Sequence, residues 1–496
     1  MDENNNKKVH GRKDGLVGVL RTRLAGNSYY APVTIRDFFT FERDPSNPHD
    51  SNAVMVMKNG SRVAGHLPAR VVSWLSELLD NDVVRLSGGR IDREYSEYKH
   101  APYLSIDVIA GESWEDVSRP FEGPVNEFES LHNLVLAAYD GASKSPGFSR
   151  DLYRRIKHLK QGDLLPGTML LLKLIPSMER VASWGKRMGE VRAAADRLEQ
   201  VAVSEAVHAG WFTIFPLHGD GRNHVPYVLL SDAVTSGAAS VHEKDGHGFV
   251  PEIVLHNNLG VPILINEGEL LVGAKQDRTI NVTIMAPAES EFVVPVSCVE
   301  AGRWHHTSEG FSAESVAPRK VRHTKLKSVI HSVMAGGAAR SDQEGVWESV
   351  SSLLNEADTR SRTSCVTDAI RHERENNELL DHKPDLPGDT RGVVVTLGDK
   401  LLGIELFDSP GTFGKLWKRI WESYVVGTPP KQEQEAKGPE PDPEFAKKLV
   451  QEITTRLEPS PVSLGEGVEV VVKTGDMVGS GVVYDGVLCA LSVLSG

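Results

Sequence analysis

The segment Phe41-Glu-Arg-Asp-Pro-Ser-Asn-Pro-His-Asp-Ser-Asn-Ala-Val-Met-Val, residues 41–56, decides the fold of the first part of the chain. Its centre is rich in Pro, Asn and Asp, which favour turns, and its end is a β-prone run from Ala53 to Met57. Asn59-Gly60 follows as a two-residue hairpin signal, and residues 61–65 return as the partner strand. The segment therefore predicts a strand, a turn and a hairpin in succession.

A single helix and further strands complete this module. Apolar residues recur at helical spacing at Val71, Val72, Leu75, Leu78 and Leu79. Residues 83–86 and 103–109 are again β-prone. We predict a small β-barrel with an inserted helix over residues 15–112. Residues 1–14 are polar, lack the apolar core of a signal peptide and are predicted to be a disordered lead.

The order and spacing of these motifs resemble the HIRAN domain. The pattern is an Arg at position 43, then Asn47-Pro-His-Asp-Ser-Asn-Ala, a hairpin, and Gly65-His-Leu. HIRAN domains are β-barrels related to OB- and SH3-like modules. Their best-understood members bind single-stranded DNA and recognise its free 3′-hydroxyl end. The resemblance covers roughly residues 15–110 and implies a DNA-binding module.

The resemblance also implies a set of DNA-binding residues. Asp50 stands where the family places the acceptor for the terminal hydroxyl, and His66 where it places a phosphate or base contact. A carboxylate can accept that hydrogen bond, and an imidazole can stack on a base. The candidate DNA-binding residues are Arg43, His49, Asp50, Asn52 and His66.

The chain departs from the family pattern at three places. His49 replaces a Tyr, Pro68-Ala69 replaces a basic residue, and the loop at 20–27 lacks the family's aromatic side chains. Tyr29 or Tyr30 is the alternative source of stacking. A second interpretation stays open, in which the turn residues only cap backbone amides and the module contacts proteins or another ligand.

Residues 125–200 change to helical spacing. Phe128, Leu131, Leu134, Val135 and Ala138 lie on one predicted helix face. A second helix is predicted from Met178 to Leu198, where Ala, Arg and Glu are frequent. We interpret this region as a helical arm that serves as a spacer or an oligomerisation element.

The rest of the chain is predicted as a β-rich domain with helical insertions. The β-prone runs are residues 253–255, 261–265, 279–285 and 292–298, with a hairpin at 392–406. Helices are predicted within 323–384 and at 415–424. Residues 428–444 combine proline and charge, which predicts an exposed linker, and residues 445–496 are expected to pack on the preceding domain as a helix and strands. The predicted fold class is α+β multidomain.

Three motifs of this region resemble a second family. They are Ile214-Phe-Pro-Leu, Ile263-Leu-Ile-Asn-Glu-Gly-Glu-Leu-Leu-Val-Gly-Ala-Lys-Gln-Asp-Arg, and Val294-Pro-Val-Ser-Cys-Val-Glu-Ala-Gly-Arg-Trp. Together they are similar to the bacterial domain named for its association with ADP-ribosylglycohydrolase and rhodanese-phosphatase proteins. The resemblance covers roughly residues 202–426 and implies a setting in ADP-ribose or nucleotide metabolism.

Charged residues concentrate at the turn in the second motif. Because side chains alternate along a strand, Gln276 and Arg278 are predicted to share a face, where they suit a phosphate and a ribose or adenine edge. The candidate catalytic residues are Glu267, Glu269, Cys298 and Glu300, and the candidate ligand-binding residues are Lys275, Gln276, Arg278 and Arg303. The alternative is a buried structural network that pairs Glu269 with Lys275 or Glu300 with Arg303.

Composition narrows the function classes. The net charge of the 496 residues is −13, which argues against coating nucleic acid or a membrane through bulk electrostatics. Residues 1–110 hold 15 basic and 14 acidic side chains, whereas the rest hold 40 and 54. Three widely spaced cysteines favour a reducing cytoplasm and predict no metal site, and the chain shows no GxxxxGK[ST] loop and no membrane span.

The sequence thus predicts a cytoplasmic bacterial protein of DNA repair or phage defence that binds DNA through its first module. Its predicted partners are single-stranded 3′ ends, a nucleotide or ADP-ribose-like ligand, and a helicase or nuclease, with no cofactor. Two alternatives stay open: a hydrolase that acts on ADP-ribose or a related nucleotide, and a scaffold without enzymatic activity.

Overall fold

The structure is a computed structural model that divides into two compact units, Met1–Lys186 and Arg187–Gly496. It describes residues 15–26, 29–30, 32–34, 36–91, 102–142, 164–198, 200–219, 225–244, 251–303, 305, 307–334, 337–428 and 441–496. The predicted lead at 1–14 and most of the predicted linker at 428–444 lie outside these residues. Among the described helices, none has the length and apolar character needed to cross a bilayer.

Six antiparallel strands form the sheet of the first unit. They are β1 Leu16–Arg23, β2 Phe39–Arg43, β3 Val54–Lys58, β4 Arg62–His66, β5 Val84–Ile91 and β6 Tyr103–Ala110, in the order β1-β6-β5-β2-β3-β4. Helix α1 spans Ala69–Asp80 between β4 and β5 and buries the predicted apolar face. Asn59 and Gly60 turn the β3–β4 hairpin with φ of 50° and 77°. The predicted barrel with an inserted helix is confirmed over the described residues.

A single bridge joins the two ends of this strand order. The backbone N–H of Ala25, just after β1, donates to the carbonyl of His66 in β4 at 2.9 Å, and the reverse hydrogen bond is also 2.9 Å. The bridge requires a glycine beside it, because a Cβ atom at Gly65 would lie 2.4 Å from the Ala25 carbonyl oxygen. The close approach of the two backbones closes the sheet into a barrel.

Among the described residues, three further helices belong wholly or partly to this unit: α2 Glu115–Ser118, α3 Glu127–Ala142 and α4 Pro166–Leu198. Val135 of α3 and Leu170 and Leu174 of α4 are buried in the same core as the barrel residues Leu20 and Phe39. The helices predicted as an arm therefore supply part of the core of the first unit. Helix α4 begins at Pro166, before the predicted start at Met178, and continues through Pro176.

The second unit contains three sheets. The short strands β10 Val228–Leu229, β13 Ile263–Ile265 and β16 Ile284–Ala286 form one. A six-stranded sheet contains β11 Ala239–Glu243, β12 Glu252–Asn257, β17 Ser290–Cys298, β15 Arg278–Ile280, β14 Glu269–Gly273 and β18 Phe311–Val316, in that order. The largest sheet contains β21 Glu458–Pro459, β22 Val468–Thr474, β23 Met477–Tyr484, β24 Val487–Leu494, β20 Lys400–Phe407, β19 Thr390–Leu397, β9 Phe212–His218 and β7 Ala202–Val203, and β8 Val207–Ala209 also pairs with β9.

Helices cover both faces of the largest sheet. Val393 and Val395 of β19 enter one core, whereas Val394 between them enters another. This explains why β19 is apolar at nearly every position. The helices of the unit are α5 Leu230–Thr235, α6 Arg319–Met334, α7 Gln343–Glu356, α8 Val366–Asn376, α9 Pro410–Val425 and α10 Pro443–Arg456, with a 3-10 turn at Glu378–Leu380. Strand β24 pairs with β20, so the last strands extend the same sheet.

One predicted strand is divided in the structure. Residues 279–285 were expected to be continuous, but β15 ends at Ile280 and β16 begins at Ile284, in different sheets. Between them, Asn281 donates its side-chain amide to the Ala339 carbonyl, and the Thr283 N–H donates to the Ser480 hydroxyl. These bonds to side chains and loops replace the sheet ladder over this segment.

The closing bridge of the barrel gives a first prediction. Gly65→Ala places a Cβ atom against the Ala25 carbonyl and should destabilise the first unit by about 1–3 kcal/mol, the range for overpacking. Urea unfolding monitored by tryptophan fluorescence, to which Trp74 and Trp114 of this unit contribute, would measure the effect. Gly185→Ala, where an added Cβ atom meets no neighbour within 4 Å, is the control and should cause no loss of stability. Equal stability of Gly65→Ala and the native protein would contradict the proposed closure.

Candidate functional site

The turn between β2 and β3 is held by its own polar side chains. Asp44 accepts hydrogen bonds from the Ser46 hydroxyl at 2.9 Å and from the Asn47 amide at 3.1 Å. The side-chain oxygen of Asn47, Oδ1, in turn accepts hydrogen bonds from the backbone N–H groups of His49 and Asp50, at 3.0 and 3.3 Å. The turn therefore presents His49 and Asp50 from a fixed backbone.

Arg43 connects this turn to helix α1 through an ion pair. Its guanidinium donates to both carboxylate oxygens of Asp80 at 2.8 Å and to the Ala53 carbonyl at 2.8 Å. The hydrogen bond to Asp80 raises the pKa of Arg43, and the same bond lowers the pKa of Asp80. Of the predicted DNA-binding residues, Arg43 thus already uses most of its donors within the protein.

Asp50 and Asn52 continue the turn. One Asp50 carboxylate oxygen accepts the Asn52 N–H at 2.9 Å, and the Asn52 carbonyl oxygen accepts the Ser76 hydroxyl at 3.0 Å. Asp50 is half-buried and His49 is exposed. Asp50 therefore has the capping role of the alternative interpretation, while its carboxylate remains at the surface of the module.

An aromatic pair lies at the closing bridge. The ring centroids of Tyr30 and His66 are 5.9 Å apart with planes inclined by 56°. Tyr29 is 89% exposed and Tyr30 is 38% exposed. His66 also lies within electrostatic range of Asp44, whose pKa is lowered mainly by the Ser46 and Asn47 hydrogen bonds and additionally by His66. The aromatic pair and the turn carrying Asp50 therefore belong to one region of the barrel.

The sequence could not place Tyr30, because its position depends on the Ala25–His66 bridge. That bridge fixes the chain after β1 beside β4, and Tyr30 follows five residues later. Asp44 was also not predicted as part of this region. Its spacing to Ser46 and Asn47, typical of an Asx-type turn, was the available signal.

In the second unit, the side chains of Gln276 and Arg278 contact each other, although Gln276 lies in the bend before β15 and not on the strand as expected. Arg278 Nη1 donates to Gln276 Oε1 at 3.0 Å, and Gln276 Nε2 donates to the Glu300 carbonyl at 2.8 Å. Arg278 also lies 3.5 Å from a Glu243 carboxylate oxygen. Both side chains are at most 1% exposed. Arg278 Nε has no hydrogen-bond partner among the described residues, but the burial of both side chains closes the predicted site to a ligand from solvent.

Arg303 organises a neighbouring buried cluster. Its guanidinium lies 2.7 Å from Glu300 and 2.9 Å from Asp277, and it donates to the Ala274 carbonyl at 2.7 Å. The Thr363 hydroxyl donates to Glu300 at 2.7 Å. Burial raises the pKa of Glu300, but the hydrogen bonds from Arg303 and Thr363 outweigh it, and the net pKa is lowered. The predicted pairing of Glu300 with Arg303 is present in the structure.

Two thiols adjoin this cluster. Cys365 Sγ donates to Asp277 Oδ2 at 3.2 Å, and Cys298 Sγ donates to the Glu300 carbonyl at 3.0 Å. Burial raises the pKa of both thiols, so neither is a ready nucleophile. Potential ligand atoms of Asp277, Glu300 and Cys365 lie within 4.8 Å of one another, a spacing that could hold a cation. Arg303 instead supplies positive charge to both carboxylates.

Glu267 belongs to a different cluster. It lies 2.8 Å from the Lys325 ammonium and 2.9 Å from Arg322, and Arg322 lies 2.8 Å from Glu405. All four side chains are at most 1% exposed. Burial raises the pKa of Glu267, but Arg322 and Lys325 outweigh it and the net pKa is lowered. This arrangement is an ion-pair network between elements of the core and gives Glu267 no access to a substrate.

Glu269 lies apart from both clusters. Its carboxylate accepts the backbone N–H of Asn266 at 3.1 Å. Burial raises the pKa of Glu269 to about 7, while the charge of Arg419 opposes the increase. Lys275 lies in the loop between β14 and β15. The structure thus brings five predicted residues into one network, Gln276, Arg278, Cys298, Glu300 and Arg303, and places Glu267 and Glu269 elsewhere.

Two family profiles match the chain. The profile described as ARG and Rhodanese-Phosphatase-superfamily-associated Protein domain matches residues 200–494, and the HIRAN domain profile matches residues 17–108. Both resemblances predicted from the sequence are confirmed. The first match extends beyond residue 426 and includes the strands β21 to β24.

Individual relatives match the first module. The Helicase-like transcription factors of human and mouse are 32% and 27% identical over 74 residues, which cover 15% of this chain and 7% of each relative. The crystal structure of the HIRAN domain of human HLTF is 27% identical and matches with a TM-score of 0.19, covering 21% of this chain and 85% of that chain. The NMR structure of the HLTF HIRAN domain in its DNA-bound conformation is 26% identical, with a TM-score of 0.18 and coverages of 21% and 84%.

The raised pKa of Glu269 predicts a pH-dependent stability. The folded protein keeps the proton up to about pH 7, whereas an ordinary Glu releases it near 4.5. Stability should therefore fall as pH rises from 4.5 through 7, by about 3 kcal/mol. Glu269→Gln removes this loss, so the variant should gain about 3 kcal/mol over the native protein between pH 5 and pH 8 in urea unfolding.

The matched control is Glu348→Gln, which changes an exposed Glu on α7. Its stability relative to the native protein should stay constant over the same pH range. A Glu269→Gln variant that also shows no pH-dependent gain would mean that Glu269 is ionised in the folded protein at acidic pH.

Proposed function

Since the chain belongs to the family of ARG and Rhodanese-Phosphatase-superfamily-associated proteins and carries a HIRAN domain ahead of that region, we propose that it is a DNA-binding protein with a C-terminal effector region. The HIRAN domain makes the DNA contact in this proposal. The effector region takes a nucleotide-like ligand. The observation that carries the DNA part is the Tyr30–His66 ring pair beside the turn of Asp50.

Exposed rings suit single-stranded DNA. Unpaired bases offer flat faces that stack on aromatic side chains regardless of sequence, at about 1–3 kcal/mol per base. Tyr29 and Tyr30 are both exposed, and the half-buried His66 supports the Tyr30 ring from one side. A duplex keeps its bases stacked on each other, so this region should discriminate against it.

The charge balance supports a local contact. Residues 1–110 are nearly neutral, and the remaining residues carry the excess of acidic side chains. A protein that neutralises few phosphates releases few counterions, and its affinity depends only weakly on salt. Stacking and hydrogen bonding should therefore dominate the binding free energy.

Asp50 is our proposed acceptor for a free 3′-hydroxyl. One of its oxygens caps the Asn52 N–H, which fixes the orientation of the carboxylate. A hydroxyl can donate to a carboxylate oxygen, whereas a terminal phosphate would meet it with like charge. The support is this orientation together with the HIRAN match at residues 17–108.

The biological setting in the proposal is bacterial DNA repair or phage defence. These 496 residues contain no GxxxxGK[ST] loop, and the proposal requires a partner to supply motor or cleavage activity. A helicase or nuclease partner fits that requirement. For the effector region, we propose an ADP-ribose-like nucleotide as the ligand, at a position other than the closed Gln276–Arg278 pair. The hydrolase alternative would require Glu300 to leave Arg303.

The aromatic pair gives a prediction for DNA affinity. Tyr30→Ala removes a stacking surface and should weaken binding to a labelled single-stranded oligonucleotide about tenfold. Fluorescence anisotropy would measure the Kd. Phe121→Ala removes an exposed aromatic side chain outside the barrel and should leave the Kd unchanged. Unchanged affinity in Tyr30→Ala and in His66→Ala would exclude the pair as the DNA contact.

A separate prediction concerns the 3′ end. The native protein should bind a free 3′-hydroxyl end more tightly than a 3′-phosphate end. Asp50→Asn keeps an oxygen that can accept the Asn52 N–H but removes the carboxylate charge, so it should reduce this preference several-fold. If the native protein binds both ends equally, end recognition is refuted while DNA binding itself remains.

A further inference from the structure

A polar cleft lies between α5, β18 and α9 in the second unit. It is lined by Ser231, Asp232, Thr235, Ser236, Ala313 and Arg419, and its volume is about 410 Å³. Small-molecule sites typically measure about 300–1,000 Å³. None of these lining residues was a candidate in the sequence analysis. The cleft is also distinct from the buried cluster around Arg303.

Arg419 is the main cation of this cleft. Its guanidinium donates to the Ser231 hydroxyl at 2.9 Å and to the Ala313 carbonyl at 3.5 Å. Within the part of the chain that the structure describes, no carboxylate lies within ion-pairing distance of Arg419. A guanidinium with donors to spare is suited to an oxyanion, because its planar fork matches two oxygen atoms.

The acidic side chain of the cleft is already paired. The Asp232 carboxylate lies 2.6 Å from the Lys415 ammonium, one helical turn from Arg419 on α9. This pairing offsets the repulsion that Asp232 would exert on an anion. An ionised carboxylate still has lone pairs that accept hydrogen bonds from hydroxyl groups. Thr235 and Ser236 also line the cleft and are exposed, and the Ser236 hydroxyl, which donates to the Ala233 carbonyl at 3.1 Å, keeps lone pairs that can accept.

Glu269 is the other carboxyl group that acts on Arg419. Because burial raises its pKa to about 7, only part of the Glu269 population is ionised near neutral pH. It therefore offsets only part of the positive charge of Arg419. When Glu269 is protonated, Arg419 and Lys415 together carry one more charge than the ionised Asp232 carboxylate.

We propose that this cleft binds a small organic phosphate, with the phosphate group at Arg419 and Ser231 and the hydroxyl groups of the organic part at Asp232, Thr235 and Ser236. The proposal rests on the effector part of the proposed function and gives it a location and a ligand class. It does not depend on DNA binding by the HIRAN domain. A sugar phosphate has both kinds of group.

Calorimetric titration of the full chain tests this location. The probes are ribose 5-phosphate, inorganic phosphate and ribose at pH 7.5 and 0.1 M salt, with ADP-ribose as a larger probe. Ribose 5-phosphate should bind more tightly than either fragment. Arg419→Ala should weaken its binding about tenfold or more, because a charge-assisted contact to the phosphate is lost. Lys418→Ala, which removes an exposed cation next to it on α9, should leave the affinity unchanged.

A second variant separates binding from folding. Arg419→Lys keeps the charge but loses the planar fork, so it should retain the thermal midpoint and show an intermediate affinity. If Arg419→Ala unfolds, Arg419→Lys with native affinity for ribose 5-phosphate would overturn the proposal. Absence of binding by the native chain, or equal affinity for ribose and ribose 5-phosphate, would overturn it too.

The two proposals fail in distinguishable ways. If the native chain binds ADP-ribose and Arg419→Ala binds it equally well, the proposed location is wrong. The proposal of a nucleotide ligand would still stand. Single-stranded DNA binding, measured on the same preparations, should be the same for Arg419→Ala and the native chain. If the native chain does not bind single-stranded DNA, the proposed HIRAN contact is refuted. The conclusion about phosphate binding in the Arg419 cleft would be unaffected.

Discussion

The fold of the second unit depends on a buried group of four charges. Glu267 precedes β14, Arg322 and Lys325 lie on α6, and Glu405 lies on β20, so the network joins two sheets and a helix. Arg322 also donates to Ser423 on α9. Two negative and two positive groups balance, and removing one would leave an uncompensated charge in the core. The positions of α6, β20 and α9 are therefore mutually constrained, and the Arg419 cleft on α9 depends on that constraint.

The two regions of interest differ in how they use polar residues. In the first module, the turn side chains bond mostly to nearby residues, which stiffens a surface that carries exposed rings. In the second unit, most of the conspicuous polar residues bond across long stretches of sequence and are buried, such as Cys365 with Asp277. Buried networks of this kind specify an arrangement of elements, whereas partly exposed groups such as Arg419 remain able to meet a ligand.

The sequence predicted those features that local pattern controls. The β3–β4 hairpin followed from Asn59-Gly60, and the apolar face of α1 followed from its spacing. Features that depend on distant partners were not predictable. The sequence around Tyr30 does not indicate that Ala25 forms a β-bridge with His66. The sequence around Arg278 does not indicate that the adjacent Gln276 side chain is bonded to the Glu300 carbonyl. Likewise, α4 was predicted only from Met178, and its earlier start at Pro166 depends on packing in the core of the first unit.

The order of strands in the largest sheet has a consequence for biosynthesis. Strand β24, residues 487–494, lies between β23 and β20, so it pairs with a strand made more than eighty residues earlier. Until the ribosome has synthesised this segment, β20 lacks its partner strand on one edge and part of the core is exposed to water. While the residues between these two strands are being synthesised, β20 therefore has an unpaired, apolar edge that can pair with another chain.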